Sequence, residues 1–131
     1  MWECIERSRF GDRHADLLAG LAALSPTGDA LVSDVLAGRL RCWEVRHRGE
    51  IVGLVAWTEE RDRDGRVFHI DAAYRRPGAA GSATRDLLPL IAKWAEARGF
   101  IRLRFETERP GLVRRAMRAG YRRRHVLEAD L

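Results

Sequence analysis

The sequence predicts an α+β domain built on antiparallel strands with helices beside them. Three observations lead there. Apolar residues recur at helical spacing before residue 40. Alternating and continuous apolar runs follow over residues 41–73, broken by turn signals at Gly49 and Asp64-Gly65. A strand then passes through a glycine-bearing loop into a helix over residues 67–99.

In chain order, Trp2, Cys4 and Ile5 suggest a leading strand edge. From Asp12, an expected cap, Leu17, Leu18, Leu21 and Leu24 share one helical face. Residues 25–29 (SPTGD) break the pattern, and Asp29 is the expected N-cap of a second helix. That helix carries Leu31, Val32, Val35 and Leu36 and stops near Gly38. The two helices either only cover a sheet or also form one wall of a substrate cleft.

Residues 41–47 alternate as a strand, with Cys42, Glu44 and Arg46 on one side and Trp43, Val45 and His47 on the other. Residues 48–50 connect a hairpin. Residues 51–57 are apolar on both faces, which suits a central strand. Gly53 within it marks a bulge or a close approach. Residues 59–65 read as a polar loop ending in Asp-Gly, and residues 67–71 (VFHID) as the returning strand.

The next helix is expected to begin near Gly81 or Ser82. Leu87, Leu88, Ile91, Trp94 and Ala95 give its apolar stripe, and Gly99 fits just past its end. Pro89 lies well inside that span, where it removes a hydrogen bond. The expectation is a kink near Arg85 or Asp86, or a regular part that starts late. Residues 100–108 read as a strand with Ile101, Leu103 and Phe105 buried and Arg102, Arg104 and Glu106 opposite. Pro110 opens a short helix over residues 111–119, with Leu112, Val113, Ala116 and Met117 as its buried face and Gly120 as terminator. Residues 121–131 read as an edge strand.

At 131 residues the chain is expected to form one domain, 1–131, with 46% apolar and 33% charged residues. No apolar run approaches the ~20 residues needed to span a bilayer, so no membrane is expected. The acidic residues in MWECIERSRF argue against an export signal, and the expected setting is cytoplasmic. Cys4 and Cys42 have no metal-like spacing and read as reduced, half-buried thiols. No metal cluster is visible.

The net charge is +5, which invites a nucleic-acid reading. Lys93 is the only lysine, and the arginines are spread along the chain among Asp and Glu. The expectation is therefore against nucleic acid as a partner. Arg114, Arg115, Arg118, Arg122, Arg123 and Arg124 form a C-terminal group. It reads first as a solvated surface, with a ribose phosphate, an acidic protein or nucleic acid as the other readings.

The chemistry starts at the loop after residue 74. A strand entering a helix through a Gly-rich turn leaves backbone N–H groups unpaired at the helix start. With the helix dipole they form an anion site, and Arg75 and Arg76 would strengthen it for phosphate. The plain alternative is a tight turn that binds nothing.

The run Arg75-Arg76-Pro77-Gly78-Ala79-Ala80, followed by helix, strand and a short helix ending at Gly120-Tyr121, resembles the GNAT superfamily of acyl-CoA-dependent N-acyltransferases. The family's signature loop is Arg/Gln-x-x-Gly-x-Gly/Ala, matched here at the first, fourth and sixth places. The frame starting at Arg76 fits less well. The resemblance covers roughly residues 41–131, and compact proteins like this one occur in bacteriophage genomes.

That resemblance implies a mixed, mostly antiparallel central sheet flanked by helices. It implies acetyl-CoA as co-substrate, without metal, and an amine acceptor, and leaves a homodimer open. The N–H groups of Gly78, Ala79, Ala80, Gly81 and Ser82 would hold the pyrophosphate. The strand over residues 68–72, through Ile70 and Ala72, would pair with the pantetheine arm. The arm enters where this strand splays from the strand of residues 101–105. Two departures stand out. Ala116 occupies the place where many members carry a tyrosine acid, and the usual asparagine at the helix start is replaced near Arg109 and Pro110. They raise the alternative of a catalytically degenerate GNAT-fold protein with a structural or interaction role.

Transfer to an amine needs a base for the ammonium, and the candidates are Glu106, His69 and Asp71. Glu106 lies beside the cleft; its plain reading is a surface partner of Arg102 or Arg104. His69 has a suitable pKa, and its plain reading is a solvent-facing strand residue. Asp71 could equally cap the turn or pair with Arg75. Tyr74 and Tyr121 read as packing residues.

Overall fold

The computed structural model of the chain describes residues 2–78, 86–107, 110–124 and 129–130. Five strands form one sheet in the order β1-β2-β3-β4-β5. They are β1 (Trp2–Arg7), β2 (Arg41–His47), β3 (Glu50–Asp62), β4 (Gly65–Arg75) and β5 (Arg102–Phe105). The first four pair antiparallel in sequence, and β5 lies parallel to β4. The helices are α1 (Ala15–Ala22), α2 (Gly28–Leu36), α3 (Leu88–Ala97) and α4 (Pro110–Arg118). This is the mixed, mostly antiparallel α+β arrangement expected. Among the described residues, no helix is long and apolar enough to cross a membrane.

The sheet has a core on each face. On one, Trp43, Trp57 and Phe68 meet Ile91 and Trp94 of α3. The Trp57 and Phe68 rings stack with centroids 4.3 Å apart. On the other, Leu54, Ala56, Ala72 and Tyr74 pack against Leu17 and Leu21 of α1 and Val35 of α2. So α1 and α2 do cover the sheet, and α1 reaches β4 itself. Gly20 lets it do so, because a Cβ there would sit 2.2 Å from the Tyr74 ring.

One polar group is wholly buried on the α1 side. Glu44 accepts from His14 Nε2 at 2.6 Å, Arg46 Nε at 2.6 Å and Arg7 Nη2 at 3.3 Å. Gly11 N–H donates to His14 Nδ1, so the proton facing Glu44 sits on Nε2. Burial alone would raise the Glu44 carboxyl, but the bonds from His14, Arg46 and Arg7 outweigh it and hold it at about 2. Cys4 and Cys42 are free thiols, pushed by burial to about 11 and about 12.

Several expectations are corrected. The polar stretch after residue 58 is not a loop: β3 runs to Asp62, and only Arg63 and Asp64 turn. Its charges are accommodated by pairing, Glu59 with Arg66 and Asp62 with Arg104, both at 2.7 Å. Asp12 opens a 3₁₀ turn, and α1 starts at Ala15. Thr27, not Asp29, is the N-cap of α2. Leu24 and Leu36 are exposed, one lying beyond α1 and the other at the last residue of α2. Ile101 precedes β5 and is exposed, as is Met117 at the rim of α4. Among the described residues, 121–124 and 129–130 form no strand. The late helix start is borne out. A wide π-type turn at Asp86 and Leu87 precedes α3, placing Pro89 in the first turn, where its missing N–H costs little.

Candidate active site

The sheet opens at one place. β4 and β5 pair from Val67↔Arg102 to Ile70↔Phe105, and there β5 ends. β4 continues from Asp71 through Arg75 with β3 on one side and, among the described residues, no strand on the other. The backbone of that edge is available to an extended ligand. Ala72 lies on the free stretch, whereas Ile70 is the last residue joined to β5.

A bulge marks the same point. Ala56 faces Ala72 and Trp57 faces Ile70, so Asp71 is an extra residue in β4. His69 and Asp71, two residues apart on β4, lie on the same side by strand alternation. His69 Nδ1–H donates to Asp71 Oδ1 at 3.2 Å, and the Thr58 hydroxyl donates to Oδ2 at 2.9 Å. Glu60 Oε1 also lies 3.4 Å from His69 Nδ1. The His69 pKa is raised, chiefly by the Asp71 hydrogen bond. Burial partly opposes this, and the charges of Asp71, Glu60 and Glu106 add to it. With Nδ1 committed to Asp71, Nε2 is the ring atom left to accept a proton.

Two of the three expected base candidates therefore meet. His69 and Asp71 touch, and Glu106, exposed one residue past β5, is near enough to influence His69. Its plain reading as a partner of Arg102 or Arg104 fails. Arg102 bonds Asp64 at 3.0 Å, and Arg104 bonds Asp62 at 2.7 Å. His69 is half-buried rather than solvent-facing.

Sequence reasoning missed Thr58 and Glu60. A signal was available. Counting outward from the Asp62↔Gly65 turn places Thr58 opposite His69. The longer loop assumed over residues 59–65 hid that register.

At the loop, Gly78 has φ of +79°, the left-handed region that favours glycine. Among the described residues, no atom lies within 4 Å of where a side chain would begin there. Arg75 is exposed at the end of β4. Arg76 is corrected: its guanidinium bonds both carboxylate oxygens of Asp16, at 2.9 and 3.1 Å, and the Ile51 carbonyl at 2.8 Å. It straps α1 to the sheet and is not free for phosphate. Ala79, Ala80, Gly81 and Ser82 lie outside the described residues. Tyr74 packs against α1, and Tyr121 meets Phe105 edge-on at 5.6 Å, with burial raising its pKa.

Solved structures of acetyltransferases superimpose over the whole chain. A ribosomal-protein-alanine N-acetyltransferase from Brucella melitensis biovar Abortus 2308 matches with TM-score 0.71 at 20% identity, covering 100% of this chain and 98% of that one. The fold is that of the GNAT acetyltransferases. An acetyltransferase from Trypanosoma brucei shares this GNAT fold with TM-score 0.67 at 17% identity, covering 100% and 99% of the two chains. So does a predicted acetyltransferase with acetyl-CoA from Clostridium acetobutylicum, with TM-score 0.61 at 14% identity and 99% and 96% coverage. No protein-family model matches the sequence, and no curated protein is significantly similar to it. The likeness is one of GNAT architecture.

Proposed function

We propose that the protein transfers an acetyl group from acetyl-CoA to an amine, with His69 as the base. The observation that carries this reading is the parting of β4 from β5 after Ile70↔Phe105, beside the His69–Asp71–Thr58 set. The free β4 edge suits the amides of a pantetheine arm, and the left-handed backbone of Gly78 suits a turn that cradles a diphosphate beyond it. The acetyl thioester supplies the activated acyl group.

The chain's own residues would do the following. Glu106, at the mouth of the split, attracts the acceptor as an ammonium. His69 Nε2 takes its proton, and Asp71 keeps the ring oriented and stabilises the imidazolium. The neutral amine then attacks the thioester carbonyl, and a backbone N–H of the free β4 edge would serve as the oxyanion donor. Thr58 fixes the Asp71 carboxylate. As the tetrahedral intermediate collapses and its C–S bond breaks, the extra proton on the nitrogen passes through water to the departing thiolate, because Ala116, a buried alanine, cannot supply one.

The Ala116 observation also favours a second reading, in which the fold binds the thioester without turnover. One experiment separates them. Acetyl-CoA at 100 times its dissociation constant should stabilise the protein by about 2.7 kcal/mol in a thermal shift. Thiol release across an amine panel should follow, and be lost in His69→Gln. A shift without thiol release favours the second reading. No shift at millimolar acetyl-CoA overturns both.

A further inference from the structure

We infer that the outer face of α4 and the turn after it form a binding surface for the phosphodiester backbone of nucleic acid. The first support is charge. Residues 110–124 contain six arginines and no acidic residue, a charge of +6, while the whole chain carries +5. All the excess positive charge therefore sits in this one segment, and the remaining residues sum to −1.

The second support is pairing, which the even spread of arginine in sequence conceals. Arg39, Arg41, Arg66, Arg76, Arg102 and Arg104 each bond a carboxylate within 3.0 Å. Arg114, Arg115, Arg118, Arg122 and Arg123 are exposed and, among the described residues, have no such partner. Arg124 differs from them, lining a surface hollow with Asp62 and Arg102.

The third is geometry. At ~100° per residue, Arg114, Arg115 and Arg118 fall within an arc of about 100° on α4. Leu112, Val113 and Ala116 turn the opposite face to the protein, with Ala116 buried. Arg122 and Arg123, also exposed, follow the helix in sequence. A single-sign stripe of guanidinium forks suits a regular line of phosphates. An acidic protein surface of mixed groups suits it less well. Because the arginines are matched to phosphates, binding should be largely independent of sequence.

The test is fluorescence anisotropy of the full chain with a labelled mixed-sequence DNA duplex between 25 and 200 mM salt. Neutralising about five phosphates gives a slope of log K against log salt of roughly −4 to −5. Arg114→Ala/Arg115→Ala/Arg118→Ala should flatten the slope by about 3, and the triple lysine variant should largely keep it. A second duplex of unrelated sequence should bind within a few-fold. Circular dichroism and the thermal midpoint confirm that each variant is folded. Three results would overturn the inference: no binding at 25 mM salt, a slope unchanged in the alanine variant, or polyglutamate binding as tightly as DNA. Displacement of the duplex by saturating acetyl-CoA would overturn it too, by assigning the arginines to that ligand. The acetyl-CoA thermal shift is read separately, so either proposal can fail alone.

Discussion

The Thr58 hydroxyl and the Asp71 carboxylate meet at 2.9 Å across β3 and β4, although the ladder gives Asp71 no partner of its own. Thr58 stands opposite His69 in the register, and Asp71, two residues along on the same side of β4, holds both with one carboxylate. Because the Asp71 bond is the largest cause of the raised His69 pKa, Asp71→Asn should return the His69 titration toward the ordinary value of 6.5. Ring-proton NMR checks this without any substrate. The signs for stability and activity are opposite. A raised folded pKa contributes stability fully present below about 6.5, lost as pH rises through the folded value. A base must be neutral, so thiol release should climb over that same upper window. His69→Gln should lower it by about 10²- to 10⁴-fold. An unshifted titration in Asp71→Asn would remove the electrostatic basis for this assignment.

Glu44 makes a prediction about stability alone. Its carboxyl lies at about 2 against an ordinary 4.5, a difference worth about 3 kcal/mol. The folded value is depressed, so this contribution is present above pH 4.5 and fades as pH falls through 2. Glu44→Leu should cost about 3 to 5 kcal/mol near pH 7, because Arg7 and Arg46 lose their counter-charge. Urea unfolding should show the gap between wild type and variant closing toward pH 2. A gap constant with pH would mean that lost packing, not lost charge, is responsible.

What could be read from sequence follows from the range of the interactions. Helix ends are local, and Gly38, Gly99 and Gly120 close α2, α3 and α4 as expected, each with positive φ. At Gly99 the closure is a full Schellman pair, Gly99 N–H to Glu96 and Phe100 N–H to Ala95. Strand extent was less legible, because the charges of Glu59, Glu60 and Asp62 look like loop. They are strand only because Arg66, Arg102 and Arg104 arrive from elsewhere to pair with them. The site repeats this lesson. His69, Asp71 and Glu106 could be named from residue type, and His69 and Asp71 share a side by alternation, but Thr58 needed the register. Arg76 was misread because its partner, Asp16, comes from a helix 60 residues away.

The Gly20–Tyr74 contact should behave as a lock between α1 and β4. A Cβ at Gly20 would stand 2.2 Å from the ring, so Gly20→Ala should destabilise by about 1 to 3 kcal/mol despite its better helix propensity. Removing the ring in Tyr74→Ala should make the same change at Gly20 neutral or favourable. Chemical denaturation of the four proteins in this cycle gives the coupling directly. If the two changes simply add, α1 is not held to β4 through this pair.

Gly78 separates the cost of conformation from the cost of lost binding. Its φ of +79° strains an L-residue, yet among the described residues nothing stands within 4 Å of the missing side chain. Gly78→Ala should therefore cost only about 1 kcal/mol of stability. If the loop amides meet a diphosphate, a shifted backbone there should weaken acetyl-CoA by about tenfold, which calorimetry can measure. Arg76→Ala supplies the contrast. It removes an exposed pair with Asp16 that contributes little to stability, and should leave acetyl-CoA affinity within about twofold. Equal weakening by both substitutions would place Arg76 at the phosphates after all, and unchanged affinity in Gly78→Ala would move the diphosphate away from this turn.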